Sequence, residues 1–267
     1  MTLLADHYRA GSGPQLLLVH GFSATWRTWT PLLDPLAADF EVLAPTLPGH
    51  TGGADLGSPP TIPGLADRLT ELMDEVGWEA PHVAGFSLGG WLALELAKRR
   101  RARSVTAIAP SGALVSCGPR EVRRFDRLFK RSRASTRATR RLLPRLLRSS
   151  AFRRVALRDM MVHGDRLGPE DAVASAFASA DMPAYDELLA SFGHEELTEL
   201  DRVTVPVCIW WGKRDRVNPL LHAPYFEERL RDATFEYVDD AGHVPFWDAP
   251  ESVLRAIRET AAKAGAS

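Results

Sequence analysis

The sequence predicts an α/β fold: a mostly parallel sheet covered by helices on both faces, with an all-helical segment inserted between two of its strands. Three observations carry that reading. Short, near-continuous apolar runs recur along the chain, and a strand buried on both faces needs such a run. Stretches of helical spacing alternate with these runs, which is the rhythm of parallel strands joined by crossover helices. From about 113 to 195 the strand-like runs stop, and only helical periodicity remains.

Leu16-Leu17-Leu18-Val19 reads as the first strand, ending at His20-Gly21-Phe22. Glu41-Val42-Leu43-Ala44 is the second, stopped by Pro45 and by the Leu47-Pro48-Gly49-His50 turn. His82-Val83-Ala84 leads a third, Ser104 to Ala109 a fourth, Val205 to Trp211 a fifth and Phe235 to Val238 a sixth. Helices are expected near 64–76, 89–101, 219–231 and 250–264. The core is thus expected over 1–112 and 196–267, and the segment 113–195 as a helical cap, or lid. Its apolar residues (Val122, Phe125, Leu128 and Phe129, then Leu142, Leu143, Leu146 and Leu147) stand at helical spacing.

At 267 residues, with 45% hydrophobic and 25% charged side chains, the chain has the make-up of a soluble globular protein with a sizeable core. Two cysteines, Cys117 and Cys208, are too few for a disulfide framework or a zinc set, and Cys208 sits in an apolar run as a small buried hydrophobe. MTLLADHYRAGSGPQ has no basic stretch followed by a long apolar one, so no signal peptide is expected and the cytoplasm is the default location. His194-Glu195-Glu196 lacks the spacing of a zinc helix, and Gly11-Ser12-Gly13-Pro14 lacks the lysine of a phosphate loop. No metal and no cofactor are expected.

The chemistry gathers at three loops. Gly85-Phe86-Ser87-Leu88-Gly89 follows a strand and opens a helix, the context in which G-x-S-x-G lifts a serine hydroxyl clear of the sheet. Serine is a poor nucleophile unless a base takes its proton, and the base needs an acid to orient it. Asp215 lies in a loop straight after the fifth strand, and His243 in a loop after the sixth. Parallel strands put such loops at one edge of the sheet, the edge where Ser87 stands. Ser87 is therefore expected as nucleophile, His243 as base and Asp215 as acid. Asp239 and Asp240 are so near His243 in sequence that they suit the turn better. Backbone N–H groups of Phe22 and Leu88 are the candidates for receiving charge that develops on a substrate oxygen. Phe22, Trp26, Leu88, Val217, Val244 and Trp247 are candidate pocket residues; Trp29 joins them at the mouth, while Trp210 and Trp211 belong to the core.

Together these residues resemble the α/β-hydrolase superfamily, in particular its serine esterase, haloperoxidase and C–C hydrolase-like members with a helical cap. The resemblance rests on His20-Gly21-Phe22, Leu47 to His50, Gly85 to Gly90, Gly212 to Pro219 and Gly242 to Pro250, and spans nearly the whole chain. It implies the α/β-hydrolase fold, the triad of Ser87, Asp215 and His243, an oxyanion hole at Phe22 and Leu88, and acyl transfer to water without a cofactor. Haloalkane dehalogenases and epoxide hydrolases of this fold use aspartate as nucleophile, and Ser87 argues against them. Many relatives carry Asp where this chain has Thr46. Hydrolysis of a carboxylic ester with a small to medium apolar substrate is the expected reaction. C–C bond hydrolysis of a diketone, lactone hydrolysis and perhydrolysis would use the same triad; a non-catalytic binding module would leave Ser87 inert.

The net charge of −1 hides an asymmetry. Between Arg120 and Arg158 stand fifteen Lys/Arg and two acids, so this segment carries +13 and the remainder −14. Such a segment reads either as a solvated face of the cap helices or as a landing surface for something acidic: a charged substrate, a carrier protein or anionic lipid. Nucleic acid is not expected, because nothing in the segment matches a motif that reads bases.

Overall fold

The computed structural model describes residues 3–57 and 61–265. Its seven strands are β1 (His7–Ala10), β2 (Gln15–Val19), β3 (Glu41–Pro45), β4 (His82–Phe86), β5 (Ser104–Ile108), β6 (Val207–Gly212) and β7 (Thr234–Val238). They form one sheet in the order β1-β3-β2-β4-β5-β6-β7, parallel throughout except for β1.

Side chains alternate across the pleat, and both sides are covered. Leu17, Val19, Leu43, Val83, Val105, Ile209 and Trp211 pack with Leu65 and Leu69 of α2 (Ile62–Glu75) and with Leu92 and Leu96 of α3 (Leu88–Lys98). Leu16, Leu18, Val42, Ala84, Ile108, Cys208 and Trp210 face the other way, onto Leu32 and Leu36 of α1 (Thr30–Ala37) and Val253 and Ile257 of α10 (Pro250–Gly265). Burial raises the Cys208 thiol to about 11, keeping it protonated as a small apolar group.

Between β5 and β6 the described chain forms only helices: α4 (Pro119–Thr139), α5 (Leu143–Leu146), α6 (Ser150–Ala156), α7 (Pro169–Ala180), α8 (Tyr185–Ser191) and short 3-10 turns. Phe125, Phe129, Leu188 and Phe192 from α4 and α8 and the turn after it join the same apolar cluster as α2 and α3.

Three elements differ from the sequence expectation. The edge strand β1 pairs antiparallel with β3, and its sequence His7-Tyr8-Arg9-Ala10 is half-exposed and has no apolar run to announce it. Helix α1 carries Pro35 inside it and so looks like a loop in sequence, but Leu32, Leu33 and Leu36 are buried and hold it on the sheet. The helix expected over 219–231 shortens to a 3-10 turn and α9 (Ala223–Glu227), after which the chain turns to reach β7.

Candidate active site

Strands β2, β4, β6 and β7 run parallel, so the loops after them share one edge of the sheet. The turn after β4 is the tightest. Ser87 has φ 55° and ψ −112°, a conformation that favours glycine. The glycines around it are there for space. A Cβ on Gly85 would lie 2.0 Å from the Gly89 carbonyl oxygen, and one on Gly89 would lie 2.0 Å from that of Val19. Three backbone bonds fix the strained residue: its N–H donates to Ile108 O at 2.9 Å, and its carbonyl accepts from Trp91 and Ser111 at 3.2 and 3.0 Å.

His243 Nε2 lies 3.0 Å from Ser87 Oγ, and its Nδ1 lies 2.7 Å from Asp215 Oδ2. All three side chains are buried. The other Asp215 oxygen accepts the backbone N–H groups of Val217 and Asn218, each at 2.8 Å. Two charge-neutral donors thus hold the carboxylate in the plane that meets the imidazole. Asp239 and Asp240 are elsewhere: Asp239 pairs with Lys213 at 2.7 Å, and Asp240 with His163 at 2.7 Å. The bond from His163 holds the Asp240 carboxyl below its usual range.

Leu88 is the first residue of α3, so its N–H has no partner within the helix. Neither its N–H nor that of Phe22 is taken up by another hydrogen bond among the described residues. The Phe22 loop runs against the nucleophile: a Cβ on Gly21 would stand 3.2 Å from the Ser87 Cβ. His20 pins that loop. Leu47 N–H donates to its Nε2 at 2.8 Å, which leaves the proton on Nδ1 for the Gly21 carbonyl, also at 2.8 Å. Burial, with His50 4.9 Å away ring to ring, pushes His20 well below the ordinary histidine range. His50 is lowered to about 4, chiefly by burial.

The Phe22 ring meets Phe129, Tyr185 and Phe192 at 5.2, 4.9 and 5.5 Å between centroids, so helices inserted after β5 wall this side with aromatics. Leu88 and Val217 are fully buried in the same cluster. Val244 and Trp247, which follow His243, pack instead in a second apolar cluster with Leu147 and Met161. Two expected pocket residues stand outside the site. Trp26 donates from Nε1 to Asp6 at 2.9 Å and packs on Tyr8 and Arg27, and Trp29 is sealed against Phe246 beneath the sheet. Both follow the Phe22 loop closely in sequence, but the short helical turn there aims them away from it.

The structure also brings in groups that the sequence did not single out. Ser111 Oγ is 3.4 Å from Ser87 Oγ and accepts from Asn218 Nδ2 at 3.1 Å, linking the acid's loop to the nucleophile. Asp248 accepts the N–H of Gly242 and ties the histidine loop to the segment before α7. Arg124 on α4 donates to the carbonyls of Arg216 and Val217, both at 2.7 Å, beside Asp215. Only tertiary contacts reveal these; no local motif marks them. Among the described residues no group of three His, Cys, Asp or Glu side chains is arranged to hold a metal ion. No helix among them is long and apolar enough to cross a membrane.

A serine on a strained strand-to-helix turn, with histidine and aspartate at the ends of later strands, defines a hydrolase architecture. The sequence model of the Alpha/beta hydrolase family matches residues 16–256, and the chain belongs to that family. It is similar to the epoxide hydrolase EphH of Mycobacterium tuberculosis, with 32% identity over 72% of this chain and 91% of that protein. It is 31% identical to a pimeloyl-[acyl-carrier protein] methyl ester esterase of Aromatoleum aromaticum, over 92% of this chain and 97% of the relative. A thermophilic esterase from Thermogutta terrifontis shares the fold, with a TM-score of 0.71, 23% identity and coverage of 97% and 93% of the two chains. The chain is an α/β-hydrolase enzyme.

Proposed function

We propose that this enzyme hydrolyses a carboxylic ester through an acyl-enzyme on Ser87. The observation that carries the reading is the line Asp215–His243–Ser87, with contacts of 2.7 and 3.0 Å. Ser87 Oγ attacks the ester carbonyl carbon while its proton passes to His243 Nε2. Asp215 holds the imidazole tautomer and stabilises the imidazolium. The N–H groups of Phe22 and Leu88 receive the carbonyl oxygen as it becomes negative, a contribution of about 10²–10³ in rate per donor. The intermediate collapses, and the alcohol leaves with the proton from His243. Water then gives a proton to His243 and attacks the acyl-enzyme; the acid departs and Ser87 regains its proton.

The aromatic wall around Phe22 favours an apolar group of small to medium size on the substrate. The segment 113–195 acts as a lid in this reading: Ser87 is only 4% exposed, so a substrate reaches it once those helices shift. A cytoplasmic location completes the proposal.

Epoxide opening, the activity named for the Mycobacterium tuberculosis relative, fits serine poorly. A serine oxygen that opened an epoxide would leave an ether, which has no carbonyl for water to attack. An acyl ester on the same oxygen is hydrolysed readily by the triad.

Initial rates on p-nitrophenyl esters from acetyl to palmitoyl, beside Ser87→Ala, test the proposal. Turnover by wild type and none by the variant is expected, with the preferred chain length measuring the pocket. Wild-type inertness toward every ester would overturn it. Labelling of Ser87 by a fluorophosphonate separates an enzyme with another acyl substrate from a binding module.

A further inference from the structure

The stretch from Arg141 to Arg158 contains six arginines and no acid. Arg153 is buried and structural: its guanidinium donates to the carbonyls of Leu147 at 2.7 Å, Arg148 at 3.1 Å and Asp165 at 3.1 Å, folding α6 back on α5. Arg154 is spent on Asp165 at 2.9 Å. The other four, Arg141, Arg145, Arg148 and Arg158, are exposed, and their side chains form no hydrogen bond or ion pair among the described residues.

The same stretch displays aliphatic side chains to solvent. Of the large apolar residues exposed in the described chain, three fall here: Leu142 at 58%, Leu146 at 40% and Val155 at 60%. They are not a frayed core. Leu143, Leu147 and Phe152 take the inward positions and pack in a cluster with Met161, Val244 and Trp247. Leu142 and Leu146, one helical turn apart, are left on the outer side. A solvated basic face has no use for them, since each holds water against apolar surface.

We propose that this outer face docks on an anionic lipid bilayer, lying on the surface and not spanning it. The four guanidiniums are exposed and line no enclosed cavity, so they suit a continuous sheet of anionic headgroups and not a single enclosed phosphate. Leu142, Leu146 and Val155 then enter the boundary between headgroups and acyl chains, as the apolar side of an interfacial helix does. A dissolved anion would engage the arginines and leave the aliphatics in water. The charge separation, +13 on residues 120–158 against −14 on the rest, also orients the molecule: the bilayer attracts this face and repels the remainder. Because Leu147 and Phe152 pack with Val244 and Trp247, the docked segment sits on the loop that carries His243.

Co-sedimentation with vesicles tests this without reference to hydrolysis. Vesicles of phosphatidylcholine alone are compared with vesicles in which roughly a third of the lipid is phosphatidylglycerol. Two variants are compared with wild type: R141Q/R145Q/R148Q/R158Q and L142S/L146S/V155S. All seven side chains are exposed and both variants should keep the wild-type thermal melt. Wild type is expected to pellet with the anionic vesicles only. The arginine variant should partition at least about tenfold more weakly, and the aliphatic variant severalfold more weakly. Raising NaCl from about 0.1 to about 1 M, which shortens the screening length from about 10 to about 3 Å, should release most of the bound protein. Equal pelleting with neutral and anionic vesicles, or undiminished binding by the arginine variant, overturns the proposal. So does unchanged binding by the aliphatic variant together with displacement by poly-glutamate, which would mark a face for an acidic protein instead.

Discussion

The carboxylate of Asp248 accepts the backbone N–H of Gly242 at 2.9 Å and so holds the residue directly before His243. It accepts two more N–H groups from the inserted segment, those of Val162 at 2.9 Å and His163 at 2.7 Å. One buried side chain therefore closes the histidine loop onto the insertion. Asp248→Ala leaves three donors without an acceptor, and a loss of about 2–4 kcal/mol in unfolding free energy is expected by urea titration. Ester turnover should suffer in kcat more than in KM, because the His243 ring loses its fixed distance to Ser87. Asp248→Glu should recover part of the stability and little of the rate.

The elbow stores strain that can be read by substitution. At φ 55° and ψ −112°, Ser87 occupies backbone space where a Cβ is crowded. Ser87→Ala removes the hydroxyl and keeps the crowding; Ser87→Gly removes both. Neither variant should turn over ester, but the glycine variant should be the more stable of the two by about 1 kcal/mol. Paired thermal melts check the difference. Gly89→Ala acts in the opposite sense: its new methyl would stand 2.0 Å from the Val19 carbonyl oxygen, so loss of soluble folded protein is expected.

These cases separate what was legible in the sequence from what was not. The elbow is local, since its glycines and serine lie within six residues, 85–90, and their spacing alone announces the turn. The approach of Asp215 and His243 is not local, yet it was legible because parallel strands deliver their following loops to one edge. Asp248, Ser111 and Arg124 act through contacts 6 to 107 residues away in sequence, and nothing in their neighbourhood marks them. The tryptophans show the remaining gap. Trp26 and Trp29 lie within eight residues of Phe22, but side-chain direction decides what each touches, and only Phe22 turns to the aromatic wall.

Arg124 gives a second test of how the insertion steadies the site. Its guanidinium grips the Arg216 and Val217 carbonyls while Glu121 accepts from its Nε at 2.8 Å. Val217 N–H in turn donates to Asp215. Arg124→Ala should lower kcat for ester hydrolysis by about tenfold, with a smaller change in KM. Arg124→Lys should restore little, since one ammonium lacks the planar fork that reaches both carbonyls.

Acid should weaken the fold through its buried histidines. His50 is fully buried, with its Nε2 lacking a partner among the described residues, and its pKa falls from 6.5 to about 4. His20 and His82 are lowered as well, chiefly by burial. A histidine whose folded pKa is depressed binds its proton more readily in the unfolded chain. Its stability contribution is therefore complete above pH ~6.5 and is lost as pH falls toward 4, the value in the fold. For His50 alone the loss approaches about 3.5 kcal/mol, at about 1.4 kcal/mol for each pH step between 6.5 and about 4. Urea titrations at pH 7.5 and about pH 4.5 should show a steep fall for wild type. In His50→Gln, which keeps a polar group of similar size without a proton to gain, the fall should be shallower by about 2–3 kcal/mol. An unchanged slope would place the acid sensitivity on His20 and His82, whose own variants would then flatten it.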